Sequence, residues 1–168
     1  MQQWGLLLNA SPQIDNLNYT YQNSGAGNKL RAVSDATGTT DNHVGDFTDK
    51  NTTADDYGYD QNGNLITDLN KRLNGNTGID QTTGGAITYN YLNLPWQIIV
   101  KNDDGSAKGS ITYIYDAAGN KLEKRVNELA SSTNGNTPKQ TNTAYLGSFV
   151  YENSVLQFFG HEEGRVRA

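Results

Sequence analysis

The sequence has no cysteine, three prolines, one methionine and two histidines among its 168 residues. Without cysteine, the chain has no disulfide framework, zinc–thiolate site, iron–sulfur cluster or cysteine nucleophile. The longest apolar run near the start, Leu6 to Leu8, is too short for a signal peptide or a membrane span. We therefore expect neither in this chain.

Strong helix formers and positive charge are also scarce. The net charge is -5, which argues against nucleic acid or an anionic membrane as a partner. Hydrophobic residues make up 35% of the chain and aromatic residues 10%, alongside 21 asparagines, 18 glycines and 17 threonines. This mixture of turn formers and strand formers predicts an all-β protein and excludes a helical bundle.

Tyrosines occur in a regular pattern. Eight of the ten fall in Tyr-x-Tyr pairs, and Tyr145 and Tyr151 frame a fifth segment. Because residues i and i+2 of a strand share a face, each pair places two rings on the same side. We predict a structural ladder of rings built from these pairs: Tyr19 and Tyr21, Tyr57 and Tyr59, Tyr89 and Tyr91, Tyr113 and Tyr115.

Turn signals follow the pairs. Asp60 is followed by Gly63 and Asn64, and the same spacing recurs at Asp116, Gly119 and Asn120. Aspartate accepts backbone hydrogen bonds at the start of a turn, and glycine adopts a positive φ without steric cost. Gly27 and Asn28 take the same place in the first unit, whereas Leu92 to Pro95 follow Tyr91 in the middle unit and depart from the pattern.

These signals predict a single β domain over residues 1–168, with about ten strands in successive antiparallel hairpins that form a twisted, curved sheet. The repeats lie near residues 17–33, 56–68, 86–100, 110–126 and 143–159. Three polar insertions, at 34–56, 70–85 and 128–143, are predicted to be solvent-facing loops.

Catalytic and metal-binding chemistry is weakly represented. His43 and His161 lie in polar segments, where a solvated surface role is favoured over catalysis. Asp60 to Asn64 begins like a calcium-binding loop but lacks the later glycine and glutamate, so a turn is the better interpretation. The acidic residues of the first insertion (Asp46, Asp49, Asp55 and Asp56, with Asn51) are predicted to form a solvated loop rather than a cation site. We predict no catalytic, cofactor-binding or metal-binding residue, and no enzyme activity.

Two motifs resemble the YD repeat of RHS proteins; they begin at Tyr59-Asp60 and at Tyr115-Asp116. The strands that end at Tyr91 and Tyr115 link them. The tail from Tyr151 to Phe159 resembles the approach to the RHS-associated core of large bacterial surface proteins of the Bacteroidetes type. The resemblance covers about residues 14–168. It implies a strip of hairpins that forms part of a shell, which in relatives encloses and delivers a C-terminal toxin or effector.

The resemblance also implies a secreted or cell-surface parent protein. The exposed strand edges of such a strip are expected to pair with the rest of the parent chain or with another copy. A carbohydrate-binding or adhesive module is the alternative, with Trp96 as the candidate glycan contact. Exposure of Trp96 and of one face of the tyrosine pairs would favour this alternative, whereas their burial would favour the scaffold.

Overall fold

The computed structural model describes residues 2–4, 13–36, 47–51, 55–75, 79 and 85–168. These residues form strands joined by turns, with short 3-10 turns at Gln22–Gly25, Leu69–Lys71 and Ser132–Asn134. The strands are β1 (Gln2–Trp4), β2 (Gln13–Tyr21), β3 (Leu30–Asp35), β4 (Tyr57–Tyr59), β5 (Leu65–Asp68), β6 (Ile87–Tyr89), β7 (Pro95–Lys101), β8 (Ala107–Tyr115), β9 (Lys121–Glu128), β10 (Lys139–Leu146), β11 (Phe149–Glu152), β12 (Val155–His161) and β13 (Gly164–Arg167).

All strand pairs are antiparallel and join strands that are consecutive in the sequence. They form a three-stranded sheet (β1 to β3), a two-stranded sheet (β4 and β5) and an eight-stranded meander (β6 to β13). The predicted all-β fold of successive hairpins is therefore confirmed. The described residues contain thirteen strands rather than about ten, because β1 precedes the first predicted repeat and strand structure extends through the C-terminal segment.

The insertion predicted at 128–143 is shorter in the structure. Strand β9 continues to Glu128, which pairs with Lys139 at the start of β10, so the connecting loop covers only 129–138. The other two insertions lie partly outside the described residues. Their described parts contact the sheets, since the Ile79 backbone lies over Gly58 of β4 and the Asp56 carboxylate accepts from the Val33 amide of β3 at 2.7 Å. The prediction that these described parts are simple solvent-facing loops is therefore wrong.

The hydrophobic core is small and is formed by residues between 33 and 87. The buried apolar side chains among the described residues are Val33, Ile66, Ala86 and Ile87. Gly58, between the tyrosines of β4, is buried because the backbone of Ile79 lies directly over it. The core therefore forms where the segment before β6 crosses the two-stranded sheet.

The eight-stranded sheet has no comparable core. From residue 88 to residue 168 every side chain is at least partly exposed. The accessible surface of the chain is 11104 Å², whereas a compact monomer of this mass exposes about 8,200 Å². Neither face of the eight-stranded sheet therefore carries a buried core. No helix in the described part of the chain is long and apolar enough to cross a membrane.

Candidate functional site

The turn between β4 and β5 shows the geometry that the repeated motif encodes. The Asp60 amide donates to the Asn64 carbonyl at 2.9 Å, and the Gly63 amide donates to the Asp60 carbonyl at 3.0 Å. The Asp60 carboxylate accepts from the Asn64 amide at 2.8 Å and from its side-chain nitrogen at 3.0 Å. Gly63 has a φ of +86°, which explains the glycine at this position.

The turn between β8 and β9 repeats this arrangement. The Asp116 amide donates to the Asn120 carbonyl at 3.0 Å, and the Gly119 amide donates to the Asp116 carbonyl at 3.1 Å. Gly119 has a φ of +87°. The Asn120 side chain, which donates to the Asp116 carboxylate at 2.8 Å, lowers the pKa of that carboxyl group together with the surrounding backbone amides. The two turns are thus the same structure.

The middle hairpin, β6–β7, has the same turn in a register that differs from our prediction. The Asn90 amide donates to the Leu94 carbonyl at 2.9 Å, and the Asn93 amide donates to the Asn90 carbonyl at 3.0 Å. Asn90 therefore stands where Asp60 stands, and Asn93, with a φ of +57°, replaces the glycine. The alignment of Tyr91 with Tyr59 was wrong by two residues, because asparagine substitutes for both aspartate and glycine in this turn.

The first hairpin, β2–β3, closes on a longer turn. The Gln22 amide donates to the Lys29 carbonyl at 2.9 Å, so the turn covers residues 22–29 where the second hairpin uses only 60–64. The positive φ angles occur at residues 23–25, and neither Gly27 nor Asn28 has one. Assigning Gly27 and Asn28 to the places of Gly63 and Asn64 was therefore wrong, because the inserted residues form a 3-10 turn of their own.

The sequence analysis missed a further copy of the turn, between β7 and β8. The Asn102 amide donates to the Ser106 carbonyl at 2.9 Å, and the Gly105 amide donates to the Asn102 carbonyl at 3.0 Å. Gly105 has a φ of +83°. The spacing from Asn102 to Gly105 matches the motif, but no tyrosine pair precedes it. The turn is thus independent of the tyrosines.

A phenolic hydroxyl links each of three hairpins to the hairpin before it. Tyr59 donates to the Leu30 carbonyl at 2.9 Å, Tyr89 to the Leu65 carbonyl at 2.7 Å and Tyr115 to the Pro95 carbonyl at 3.0 Å. Each acceptor is the first residue of the second strand of its hairpin. Each acceptor also pairs with the last tyrosine of the first strand of its own hairpin. Leu30 pairs with Tyr21, Leu65 with Tyr59 and Pro95 with Tyr89. The same bond therefore recurs from hairpin to hairpin.

The tyrosine rings are partly removed from solvent. Tyr113 and Tyr115 lie with ring centroids 6.3 Å apart, as expected for two residues on one face. Burial raises the pKa of Tyr89 and of Tyr115. Burial also raises the pKa of Tyr57, with a further contribution from the carboxylates of Asp68 and Asp56. These shifts favour the neutral phenol.

Consecutive turns contact one another along one edge of the hairpins. The side-chain nitrogen of Asn64 donates to Asn93 Oδ1 at 3.3 Å, which joins the second turn to the third. A Leu94 methyl group would lie 3.3 Å from a Cβ placed on Gly119, so turn 90–94 meets turn 116–120. We call the turns 60–64, 90–94 and 116–120 the turn row. Each member contacts the next one in the row.

The remaining predicted residues are dispersed. Tyr19 and Tyr21 of β2 are 37% and 44% exposed. Tyr91 is 83% exposed and Trp96, on β7, is 42% exposed. Tyr151 is partly buried on β11, opposite Ala144. Trp96 and Tyr91 are exposed, as the glycan-binding alternative predicts. Tyr59, Tyr89 and Tyr115 are partly buried, so the criterion of exposure divides between the two roles.

The acidic residues occupy two environments. Asp55 forms an ion pair with Arg31 at 2.6 Å, and the guanidinium group lowers the pKa of that carboxyl group. Asp56 is 1% exposed and accepts from the Val33 amide and from the Asn51 side chain, both at 2.7 Å. The prediction of a solvated loop is therefore wrong for Asp56. Its hydrogen bonds give it a structural role, connecting β3 to the start of β4.

No metal-binding group emerges from the described ranges. They contain no cluster of three or more histidine, aspartate or glutamate side chains that could hold an ion. His161 is exposed at the end of β12, and His43 and Asp46 lie outside the described residues. Comparison with family models, curated proteins and solved structures found no match for this chain.

Proposed function

We propose that the chain is a non-catalytic section of an RHS-like YD-repeat shell or surface scaffold. The observation that supports this most directly is the recurring tyrosine hydroxyl bond between successive hairpins. A bond that recurs at three successive steps, from β2–β3 to β8–β9, is typical of a repeat array, in which each unit contacts its neighbours. Binding sites, by contrast, concentrate unusual residues at one place.

The open sheet supports the same proposal. A sheet of eight strands without a buried face has not completed a hydrophobic core, and an extended wall has this property along its length. Strand β13 pairs only with β12 in the described chain, so its outer edge is available to another strand. We propose that the rest of the parent chain or another copy pairs there.

The proposal is tested by determining the structure of the parent polypeptide by cryo-electron microscopy. A shell predicts that these hairpins continue into neighbouring hairpins through β13, with the turn row along one rim and a hollow interior. A closed domain in which β13 remains an end strand would contradict it. Because the structure is determined for the intact polypeptide, the result does not depend on how the isolated chain behaves.

An adhesive, carbohydrate-binding module is the second candidate, and the exposure of Trp96 favours it. Exposed aromatic rings provide flat apolar surfaces on which ligands can stack. Glycan-array binding by the wild type, lost in Trp96→Ala and kept in Trp4→Ala, would establish this role. Trp4 is a matched control because it is 59% exposed on β1. Equal binding by all three proteins, or none, would exclude Trp96 as the contact.

A further inference from the structure

A groove lies on one face of the eight-stranded sheet, over β9 to β13. Its volume is about 580 Å³, within the range of about 300–1,000 Å³ that ligand sites occupy. Trp96 and the tyrosine pairs are not part of it. The side chains that define its chemistry are Lys124, Tyr145, Glu152, Phe158, Arg165 and Arg167.

Strand register places these side chains together. Lys124 pairs with Thr143, which in turn pairs with Glu152. Residues directly opposite each other in an antiparallel sheet present their side chains on the same face. This first row therefore crosses three strands and provides an ammonium group, a hydroxyl group and a carboxylate.

A second row runs parallel to the first. Tyr145 pairs with Val150, Val150 pairs with Phe158, and Phe158 pairs with Arg167. Arg165 shares the face of Arg167, and its guanidinium carbon lies 4.2 Å from the centre of the Phe158 ring. Stacking on the ring restricts the guanidinium group, so less side-chain entropy is lost when it binds an anion.

The groove is cationic although the chain is acidic. Lys124, Arg165 and Arg167 outnumber Glu152, and no carboxylate of the described chain forms an ion pair with any of the three. Within the strands of the eight-stranded sheet, Arg125 forms an ion pair with Glu123 at 2.9 Å, and neither residue lines the groove. Three cations without a carboxylate partner in a concave site indicate an anionic ligand.

The other polar groups narrow the class of anion. Glu152 repels a densely charged ligand such as a phosphate chain, but it accepts hydrogen bonds from hydroxyl groups. Thr143 and Tyr145 add hydroxyls that both donate and accept. We propose that the groove binds a saccharide unit that carries a carboxylate, such as a uronic acid. The guanidinium groups bind the carboxylate, and Glu152, Thr143 and Tyr145 bind ring hydroxyls.

An acidic peptide fits the position of the groove less well. Extended peptides usually add to the free edge of a sheet through backbone hydrogen bonds, whereas this groove lies on the face. The proposal is independent of the scaffold role, because a wall can carry a ligand site on one side. Failure to bind would leave the scaffold proposal unchanged, because that proposal depends on the tyrosine hydroxyl bonds and not on the groove residues. The two proposals therefore fail separately.

The test is isothermal titration calorimetry of the full chain with digalacturonic acid. We expect saturable binding that weakens as salt is added and falls by about tenfold in Arg165→Ala, since a charge-assisted hydrogen bond is lost. Arg125→Ala is the matched control. It removes the same charge from the same sheet, but Arg125 pairs with Thr112 and Asn142 and so lies on the opposite face from Lys124.

Arg167→Gln provides a second variant on the groove and should weaken binding in the same direction. Circular dichroism of every variant establishes that it is folded before titration. Absence of binding by the folded wild type would overturn the proposal. So would equal binding of a neutral disaccharide or of hexaglutamate, or an equal loss in Arg125→Ala.

Discussion

A single phenolic hydroxyl connects each central hairpin to its predecessor, and this contact can be removed without changing the size of the ring. Tyr89→Phe deletes the bond to the Leu65 carbonyl, which is 2.7 Å long. We expect the free energy of unfolding to fall by about 1 kcal/mol, the usual net contribution of one hydrogen bond. Urea denaturation of the variant and the wild type measures the difference.

Tyr91→Phe is the control for that substitution. Tyr91 is two residues away in the sequence and 83% exposed at the tip of the turn. Its substitution should change the free energy of unfolding by less than about 0.5 kcal/mol. If the two variants lost equal stability, the assignment of Tyr89 as the equivalent of Tyr59 and Tyr115 would be wrong.

Tyrosine ionisation makes stability fall at alkaline pH. The pKa of Tyr57 is raised in the folded chain by burial and by the nearby carboxylates, so the unfolded chain releases this proton first. The corresponding stability is complete below about pH 10, the ordinary pKa of tyrosine, and is lost as pH rises through the folded-state value. Tyr57→Phe should therefore reduce the loss of stability above pH 10, as measured by urea midpoints across that range. Identical pH profiles for variant and wild type would exclude this contribution.

Strand β4 depends on a close backbone approach at Gly58. A methyl group at Gly58 would collide with the Ile79 carbonyl, and the neighbour that must move is backbone. We expect Gly58→Ala to reduce the free energy of unfolding by about 1–3 kcal/mol, as overpacking usually does. Thermal or urea unfolding provides the measurement.

Gly160→Ala is the matched control for this substitution, since a Cβ at Gly160 would meet no atom within 4 Å. It lies in β12 and should leave stability within about 0.5 kcal/mol of the wild type. An unfolding midpoint of Gly58→Ala equal to that of Gly160→Ala would show that the Ile79 segment does not pack on β4 in solution.

Hairpins were the most predictable elements because their signals are local. Glycine at residues 63 and 119 and aspartate at residues 60 and 116 specify a turn with short-range hydrogen bonds, and the structure forms it there. The predicted register of the middle hairpin was wrong because Tyr91 completes a Tyr-x-Tyr pair although it lies in the turn. The residues that form this turn are Asn90 and Asn93. Sequence periodicity does not distinguish a tyrosine in the strand from one in the turn.

Long-range contacts were not predictable in the same way. The burial of Asp56 depends on two separate segments. The Val33 amide of β3 donates to its carboxylate, and so does the Asn51 side chain of the first insertion. The hydroxyl bonds join residues of different hairpins, and the cationic groove combines side chains of five strands. No local pattern encodes such combinations, because they follow from register and from the folding back of insertions.

The molecule as a whole should be more extended than a compact domain of its length. Globular domains of 168 residues have a radius of gyration of about 15 Å, whereas this chain exposes 11104 Å² and has no buried core on its eight-stranded sheet. Small-angle X-ray scattering of the monomer, isolated by size-exclusion chromatography, should give a clearly larger radius. A value of about 15 Å for the monomer would indicate that the eight-stranded sheet folds over to bury one face.

The longer turn of the first hairpin has a consequence for engineering. Residues 22–29 replace the short turn found elsewhere, yet Tyr21 still pairs with Leu30, and the Leu30 carbonyl still accepts from Tyr59. The length of a turn is thus decoupled from the strands behind it. Foreign peptides could be inserted at Gly105, where a Cβ would have open space around it, so the strip is suited to serve as a display platform for grafted loops.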